Sequence, residues 1–412
     1  MRPWRVPYPK FGDGPGLERV AAVAKRLGID LGAFGKSGAV IVGSNGKGST
    51  AAMTAALLHQ TRGSVGLFTS PHLFDLNERF NIDGEDISDD ELERHWDRVG
   101  AAIDAEGLGS KVGGFEFLFL IAADWFAARQ CAHTVWEAGI GGRLDPVSLI
   151  AAQRLALTSL DLEHTKLLGD TLEEIARDKI GAVPKGARLY APKSILVRDT
   201  IVACCAERSV ALAFVAPLVD APLPGLHQRS NAALALCLAS DIVEQQLGPP
   251  ATRRHAAVLA GEDAGGPYLA LDAETIAAGL ANTHWPGRLE IIEDEPLIVI
   301  DVGHTPDAVR AALEGFNAMR DARKPTLVCG VSADKDAAAL VRALAPAFET
   351  IICVAAAHKG APAVQIAARA AAANPAAEIV LAESVAEARR LALARAKPAE
   401  TAVYVAGALF LA

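Results

Sequence analysis

The chain has 412 residues, with 40 Lys plus Arg against 49 Asp plus Glu and a formal charge of −9. That length allows two to three domains at about 150 residues each, and the mild acidity excludes a global basic footprint for nucleic acid. Apolar residues at 51% with charged residues at 22% exclude a mostly disordered chain, and no uncharged apolar run reaches the roughly 18 residues of a spanning helix.

The first residues, MRPWRVPYPKFGDG, carry Arg2 and Arg5, but Pro, Asp and Gly interrupt where a signal peptide would turn apolar. Apolar strand-like runs then alternate with helical patterns. Strands are expected at Ala39–Val42, Val65–Phe68, Thr134–Trp136, Leu155–Ser159, Arg188–Ala191 and Ala211–Val215. Helices are expected from about Ser49 to Gln60 and over Asp90–Ala105, Phe117–Arg129, Leu172–Gly181 and Asn231–Gln246. Ser88-Asp-Asp-Glu91 and Thr171-Leu-Glu-Glu174 both have the capping-box pattern. Gly261–Tyr268 reads as a surface loop. Turn formers at Asn282–Arg288 mark a break, which divides the chain into 1–288 and 289–412.

After the break the alternation restarts. Strands Leu297–Asp301, Thr326–Cys329, Thr350–Val354, Glu378–Leu381 and Ala402–Val405 alternate with helices Pro306–Met319, Asp336–Phe348, Ala363–Ala373 and Val385–Ala396. Both parts therefore read as α/β, a parallel sheet wrapped by helices. The cysteines (131, 204, 205, 237, 329 and 353) form no CxxC pair and suit reduced thiols of a cytoplasmic protein.

Seven segments carry candidate chemistry. Gly43-Ser-Asn45-Gly46-Lys47-Gly48-Ser49-Thr50 lies between an apolar strand and a helix, where backbone N–H groups and the helix dipole can hold phosphate. It is not a standard Walker A, because Ile41 and Gly48 stand where that motif needs Gly and Ser or Thr. Ser70-Pro71-His72 with Asn77-Glu78-Arg79 suits a substrate or ion site, or a capped loop. Glu137 closes a buried strand ahead of Gly139, Gly141 and Gly142, where a lone carboxylate would be costly unless it meets a metal or a cation. His164 follows a strand end, and Lys179 lies one helical turn from Ile175. A buried Lys beside two Mg²⁺ ions would lose its proton, and its neutral amine could capture CO₂ as a carbamate. Arg288, in His284-Trp-Pro-Gly-Arg, could clamp phosphates. Asp301-Val-Gly-His304-Thr305-Pro306 and Ser332-Ala-Asp-Lys335-Asp336 complete the set, and each alone could be a turn.

In order, the patterns GSNGKGST, FTSPHL, EAGIGGRLD, HTKLLGDTLEEIARDK, LPGLHQRSNA, PGR, DVGHTPDA and SADKD resemble those of the folylpolyglutamate synthase/dihydrofolate synthase family, within the Mur ligase superfamily. The resemblance implies Mur ligase architecture: a P-loop-type parallel-sheet ATPase domain followed by a smaller, Rossmann-like α/β domain. At matching positions it implies ATP contacts from Gly43, Asn45, Gly46, Lys47, Gly48, Ser49, Thr50, Asn231, Arg288, Asp301 and His304. It implies Mg²⁺ at two sites, with Ser70 and Glu137 at one, Glu137 and His164 at the other, and Lys179 as a carbamylated ligand. Lys335 falls near the acyl phosphate and the incoming amino acid.

The implied catalytic group is Lys47, His164, Lys179, Arg288 and Lys335. The implied reaction joins L-glutamate to a pterin-linked carboxylate, dihydropteroate or folate, through an acyl phosphate. Four positions depart from the family's usual pattern: Asp145-Pro146-Val147-Ser148, Glu163 before His164, Thr305 before Pro306, and Ala408 after Gly407. They keep open a paralogue that uses a non-folate acid. Retention of Lys47, Glu137, His164 and Lys179 argues against an inactive nucleotide-binding paralogue. The expected partners are small molecules only, for a cytoplasmic monomer.

Overall fold

The structure, a computed structural model, describes residues 4–217, 219–247, 270–333, 336–357 and 359–407. The expected loop Gly261–Tyr268 and Lys335 lie outside the described residues. The chain divides into two compact units. One comprises Met1–Pro222 and Arg229–His284, the other Leu223–Gln228 and Trp285–Ala412. The six residues ahead of Arg229 thus group with the C-terminal part.

The first unit is built on eight strands: β1 (Gly38–Val42), β2 (Val65–Phe68), β3 (Phe80–Ile82), β4 (Glu85–Asp86), β5 (His133–Glu137), β6 (Arg154–Leu157), β7 (Arg188–Pro192) and β8 (Ala211–Val215). Their order is β4-β3-β2-β5-β1-β6-β7-β8. The six strands from β2 to β8 in that order pair in parallel, while β3 and β4 add an antiparallel edge. β1, β5 and β6 are buried along their whole length, because helices cover both faces. The chain moves outward from β1 to β2 on one side, returns through β5, and crosses to β6 on the other side. Ligands of open α/β sheets bind at such a switch point, outside the carboxyl ends of the strands. Gly43, Ser70, Glu137 and Thr158 all stand at or just past those ends.

The helix Lys47–His59 is buried nearly all round, from Gly48 to Leu58, so it lacks the amphipathic stripe of a surface helix. Helix Gly114–Ala128 is likewise buried over Phe117–Phe126, with its two carboxylates, Glu116 and Asp124, held in ion pairs. Thr171 and Glu174 form the expected reciprocal capping box. Ser88 caps its helix through the Glu91 N–H, but the Glu91 carboxylate turns instead to Arg129 and, at 3.4 Å, to the Trp125 indole. A tertiary charge outcompetes the local box there.

The second unit has β9 (Glu290–Asp294), β10 (Leu297–Ile300), β11 (Lys324–Cys329), β12 (Thr350–Cys353), β13 (Glu378–Leu381) and β14 (Thr401–Ala406). Their order is β13-β12-β11-β14-β10-β9, parallel except for the β9 edge. Phe316 stacks on Tyr404 at 4.5 Å within its core. The helix expected over Asp336–Phe348 is α-helical only over Ala337–Leu344, then tightens to a 3₁₀ turn at Ala345–Ala347, where Pro346 has no N–H to continue it. Among the described residues no helix is long and apolar enough to cross a membrane.

Candidate active site

The phosphate loop leaves β1 at Gly43 and enters the helix at Lys47. Its backbone is pinned by the residues that follow β6. Thr158 Oγ1 donates to Asn45 O at 2.6 Å, Ser159 Oγ accepts from Asn45 N at 2.8 Å, and Ser44 Oγ accepts from Asp161 N at 3.0 Å. The expected strand Leu155–Ser159 ends at Leu157 because these hydroxyls turn to the loop. Two glycines are sterically required. A Cβ on Gly43 would lie 1.9 Å from Thr158 Oγ1, and one on Gly46, whose φ is +83°, would lie 2.5 Å from Asn231 Oδ1. Asn231, buried on the helix Leu226–Leu247, is thereby set against Gly46. Ser49 and Thr50 are buried in the first helical turn. Lys47 curls back, its Nζ donating to Gly43 O at 2.9 Å and Ser44 O at 3.1 Å.

A second lysine reaches the same carbonyl. Lys179, 1% exposed, donates from Nζ to Gly43 O and to Glu163 Oε1, both at 2.9 Å. Burial alone would raise Glu163, but the charges of Lys47 and Lys179 hold it down at about 2. Burial pulls Lys179 below its ordinary value, and Glu163 opposes that pull. As placed, Lys179 Nζ lies within ion-pair distance of the Glu163 carboxylate. His164 follows with φ +48° and caps the short turn Thr165–Leu168.

Glu137 ends β5 at 4% exposure and accepts the Ser70 N–H at 2.9 Å through Oε2. Beyond it, Asp145 is buried and takes the N–H groups of Gly139, Ile140 and Val147 at 2.9–3.1 Å. Its burial pushes it up to about 6 despite those bonds and the charge of Lys47. On the β2 side, Glu78 accepts three backbone N–H groups, from Leu73, Phe74 and Asp75, each at 2.7 Å. Arg79 Nε donates to His72 Nδ1 at 2.9 Å. Burial and the Arg79 charge draw His72 down to about 4, so it is neutral and carries its proton on Nε2. Burial draws Arg79 to about 10 against the opposing charges of Glu137 and Glu78, and it stays cationic.

Among the described residues no three His, Cys, Asp or Glu side chains converge in a metal cage. The expected ligand set contains only Glu137 and His164 of those types, with the Ser70 hydroxyl beside them. In the second unit, Asp301 accepts Gly303 N at 2.8 Å and Leu289 N at 3.2 Å, raised by its burial and opposed by the Arg288 charge. His304 donates through Nδ1 to Val302 O at 3.2 Å, and Arg288 donates to Gly287 O at 3.1 Å.

The structure therefore brings Gly43, Asn45, Gly46, Lys47, Gly48, Ser49, Thr50, Ser70, Glu137, His164, Lys179 and Asn231 into the first unit, and Arg288, Asp301 and His304 into the second. The sequence assigns Thr158 and Ser159 no role, and it reads the segments of His72 and Arg79 only as a substrate or ion site or a capped loop. Only the pairing across strands reveals what they hold.

A family model for the Mur ligase glutamate ligase domain matches residues 287–409. Folylpolyglutamate synthase of Saccharomyces cerevisiae is 33% identical over 348 residues, covering 78% of this chain and 61% of that protein. The chain thus spans less than two thirds of that relative's length. Escherichia coli FolC, solved with DHPP and ADP, superposes with a TM-score of 0.81 at 25% identity, covering 97% of this chain and 92% of that one. A bifunctional folylpolyglutamate synthase/dihydrofolate synthase with Mn, AMPPNP and L-glutamate bound gives 0.80 at 27%, covering 97% and 93%. By its ordered motifs, its two sheets and these matches, the chain is similar to proteins of the folylpolyglutamate synthase/dihydrofolate synthase family, and its residues 287–409 match the Mur ligase glutamate ligase domain.

Proposed function

We propose that the protein is an ATP-dependent ligase that joins L-glutamate to a pterin-linked carboxylate, dihydropteroate or folate. The observation that carries this reading is the pairing of a lysine-bearing phosphate loop after β1 with a buried carboxylate, Glu137, closing the adjacent β5. The acid's carboxylate oxygen attacks the γ-phosphorus, the bond to the bridging oxygen breaks, and ADP leaves. The amine of glutamate then attacks the acyl carbonyl, loses a proton, and phosphate departs. The physical obstacle is repulsion between a carboxylate and a polyanionic phosphate. Lys47, once it leaves its loop carbonyls, supplies positive charge to that phosphate.

Glu137, Ser70 and His164 offer a carboxylate, a hydroxyl and an imidazole, donors that suit a hard divalent cation, and Lys179 as a carbamate would add oxygens. We assign Mg²⁺ there, at two sites; when bound it neutralises phosphate charge. Carbamylation of Lys179 requires its ammonium to leave Glu163. Arg288, Asp301, His304 and Asn231 are assigned to the nucleotide, and Lys335 to the amino-acid end. The six free cysteines support a reducing compartment, the cytoplasm, and we read the protein as a monomer with small-molecule partners only.

The test is to incubate the protein with Mg-ATP, several amino acids and a panel of pterin and aromatic acids, following ADP and product mass. Acid-dependent ADP release with glutamylated folate or dihydropteroate is expected. No release with any acid refutes the ligase, AMP refutes the acyl phosphate, and turnover only with non-folate acids selects a paralogue. That last outcome has a structural motive: Pro146-Val147-Ser148 form a largely buried 3₁₀ turn beside the Gly139 loop.

A further inference from the structure

The loop between β2 and β3 ends in a guanidinium that nothing described so far uses. Glu78 spends its carboxylate on three successive N–H groups of the loop, and Thr69 N donates to Arg79 O at 3.1 Å. The backbone that carries Arg79 is therefore held at both ends. Its Nε bonds His72 and fixes one edge of the guanidinium. Its two terminal amino groups make no hydrogen bond and no ion pair among the described residues, yet they are not sealed from solvent. Glu137 is the first of the two carboxylates whose charge Arg79 feels, without forming an ion pair with it. The Glu137 carboxylate is itself tied to the backbone of Ser70, at the start of the same loop.

A half-buried guanidinium normally meets a carboxylate, because five N–H donors in a rigid fork are costly to leave without acceptors. Here one donor is satisfied internally, and Arg79 and Glu137 stand at the two strands that flank the end of β2, Arg79 bonded there to Thr69 N through its carbonyl. That fork matches a carboxylate in bidentate geometry. We propose that Arg79 binds the carboxylate of the acid substrate, the group that takes the phosphoryl, and that His72 is a positioning residue that sets the plane of the guanidinium. The assignment rests on the ligase reading and adds to it the residue that recognises the reacting group. Lys47 and its loop hold the nucleotide phosphates, so Arg79 acts on the other reactant.

The experiment uses the full chain and the acid that turns over, varied at saturating Mg-ATP and glutamate. Arg79→Met and Arg79→Lys are expected to raise KM for the acid roughly 30- to 100-fold, the scale of a lost charge-assisted pair, with KM for ATP within about twofold. His72→Leu raises the acid KM by a smaller factor, and His72→Asn, which keeps an acceptor near the Nδ1 position, restores it. In equilibrium titration of the ADP-bound protein, Arg79→Met loses affinity for the free acid but binds its methyl ester as the wild type does. An unchanged acid KM, an equal rise in KM for ATP, or an equal loss of acid and ester overturns the assignment. If Arg79→Met melts well below the wild type, the His72 pair and Arg79→Lys carry the test. If the wild type shows no acid-dependent ADP release, the ligase reading fails instead, and the acid-against-ester titration still decides whether Arg79 holds a carboxylate.

Discussion

The loop that leaves β1 and the loops that leave β2 and β5 lie at the same end of one sheet but are fixed by opposite means. The glycine-rich loop is clamped by the neutral hydroxyls of Ser44, Thr158 and Ser159, with Asn231 packed against Gly46 and the Nζ atoms of Lys47 and Lys179 on its Gly43 carbonyl. The other two loops are clamped by carboxylates, Glu78 and Asp145, each accepting three backbone N–H groups. Hydroxyls pin a backbone without adding charge, and under the proposed function this suits a loop that takes phosphate. In the other two loops carboxylates draw the backbone N–H groups inward, and under the readings proposed above the Ser70 hydroxyl and the Arg79 fork face ligands.

The comparison can be broken at the charged Lys179–Glu163 pair that meets the glycine-rich loop. Lys179→Ala strands a buried carboxylate and is expected to cost about 3–5 kcal/mol of unfolding free energy in denaturant titration. Activity should vanish with it, and wild-type rates would remove Lys179 from the mechanism. Lys179→Met combined with Glu163→Leu should recover most of the stability without the activity, since an apolar pair of similar volume has no charge to desolvate.

Lys47→Ala should leave the melting temperature near the wild type and slow acid-dependent ADP release ~10²- to 10³-fold, the loss typical of one electrostatic contact to a transition state. A loss of fold would mean that Lys47 is a structural clamp rather than a phosphate ligand.

Asp145 sharpens the contrast through pH. Its carboxyl sits at about 6 in the folded chain against 3.8 ordinarily. Between those values the folded chain keeps a proton that the unfolded chain has released. Stability therefore falls as pH rises through that window, by at most about 3 kcal/mol. Asp145→Asn should flatten that slope of unfolding free energy against pH, and an unchanged slope would show that the carboxyl is not desolvated. The smallest effect is expected from Thr158→Val, which removes one neutral hydrogen bond to Asn45 O. About 1 kcal/mol, or roughly a fivefold rise in KM for ATP, should follow with the acid KM unmoved.

Much of the fold was legible because strands read as short apolar runs. Val65–Phe68, buried throughout, and the partly exposed edge strands Ala211–Val215 and Glu378–Leu381 lie where the pattern puts them. Several of the elements it missed carry a weak signal, although the missed helix Leu17–Leu27 is plainly amphipathic. β9 is an exposed edge strand whose charged sequence resembles a loop. The β3–β4 hairpin is too short to show alternation, and helix Arg198–Glu207 has almost no amphipathic stripe. In the site, GSNGKGST and Glu137 announced themselves by residue type and position.

What the sequence by itself determined is the alternation of strands and helices, the resemblance to a family, and the residues whose chemistry is intrinsic: a lysine in a glycine-rich turn, a carboxylate at the end of an apolar strand. What only the tertiary structure decided is which groups share a charge or a proton. Thr158 meets Asn45 across 113 positions of chain, Lys179 meets Gly43 across 136, and Glu137 meets Ser70 across 67. The physical reason is that hydrogen bonds and desolvation depend on distance in space, and the crossover of the sheet at β1, rather than any local pattern, sets those distances.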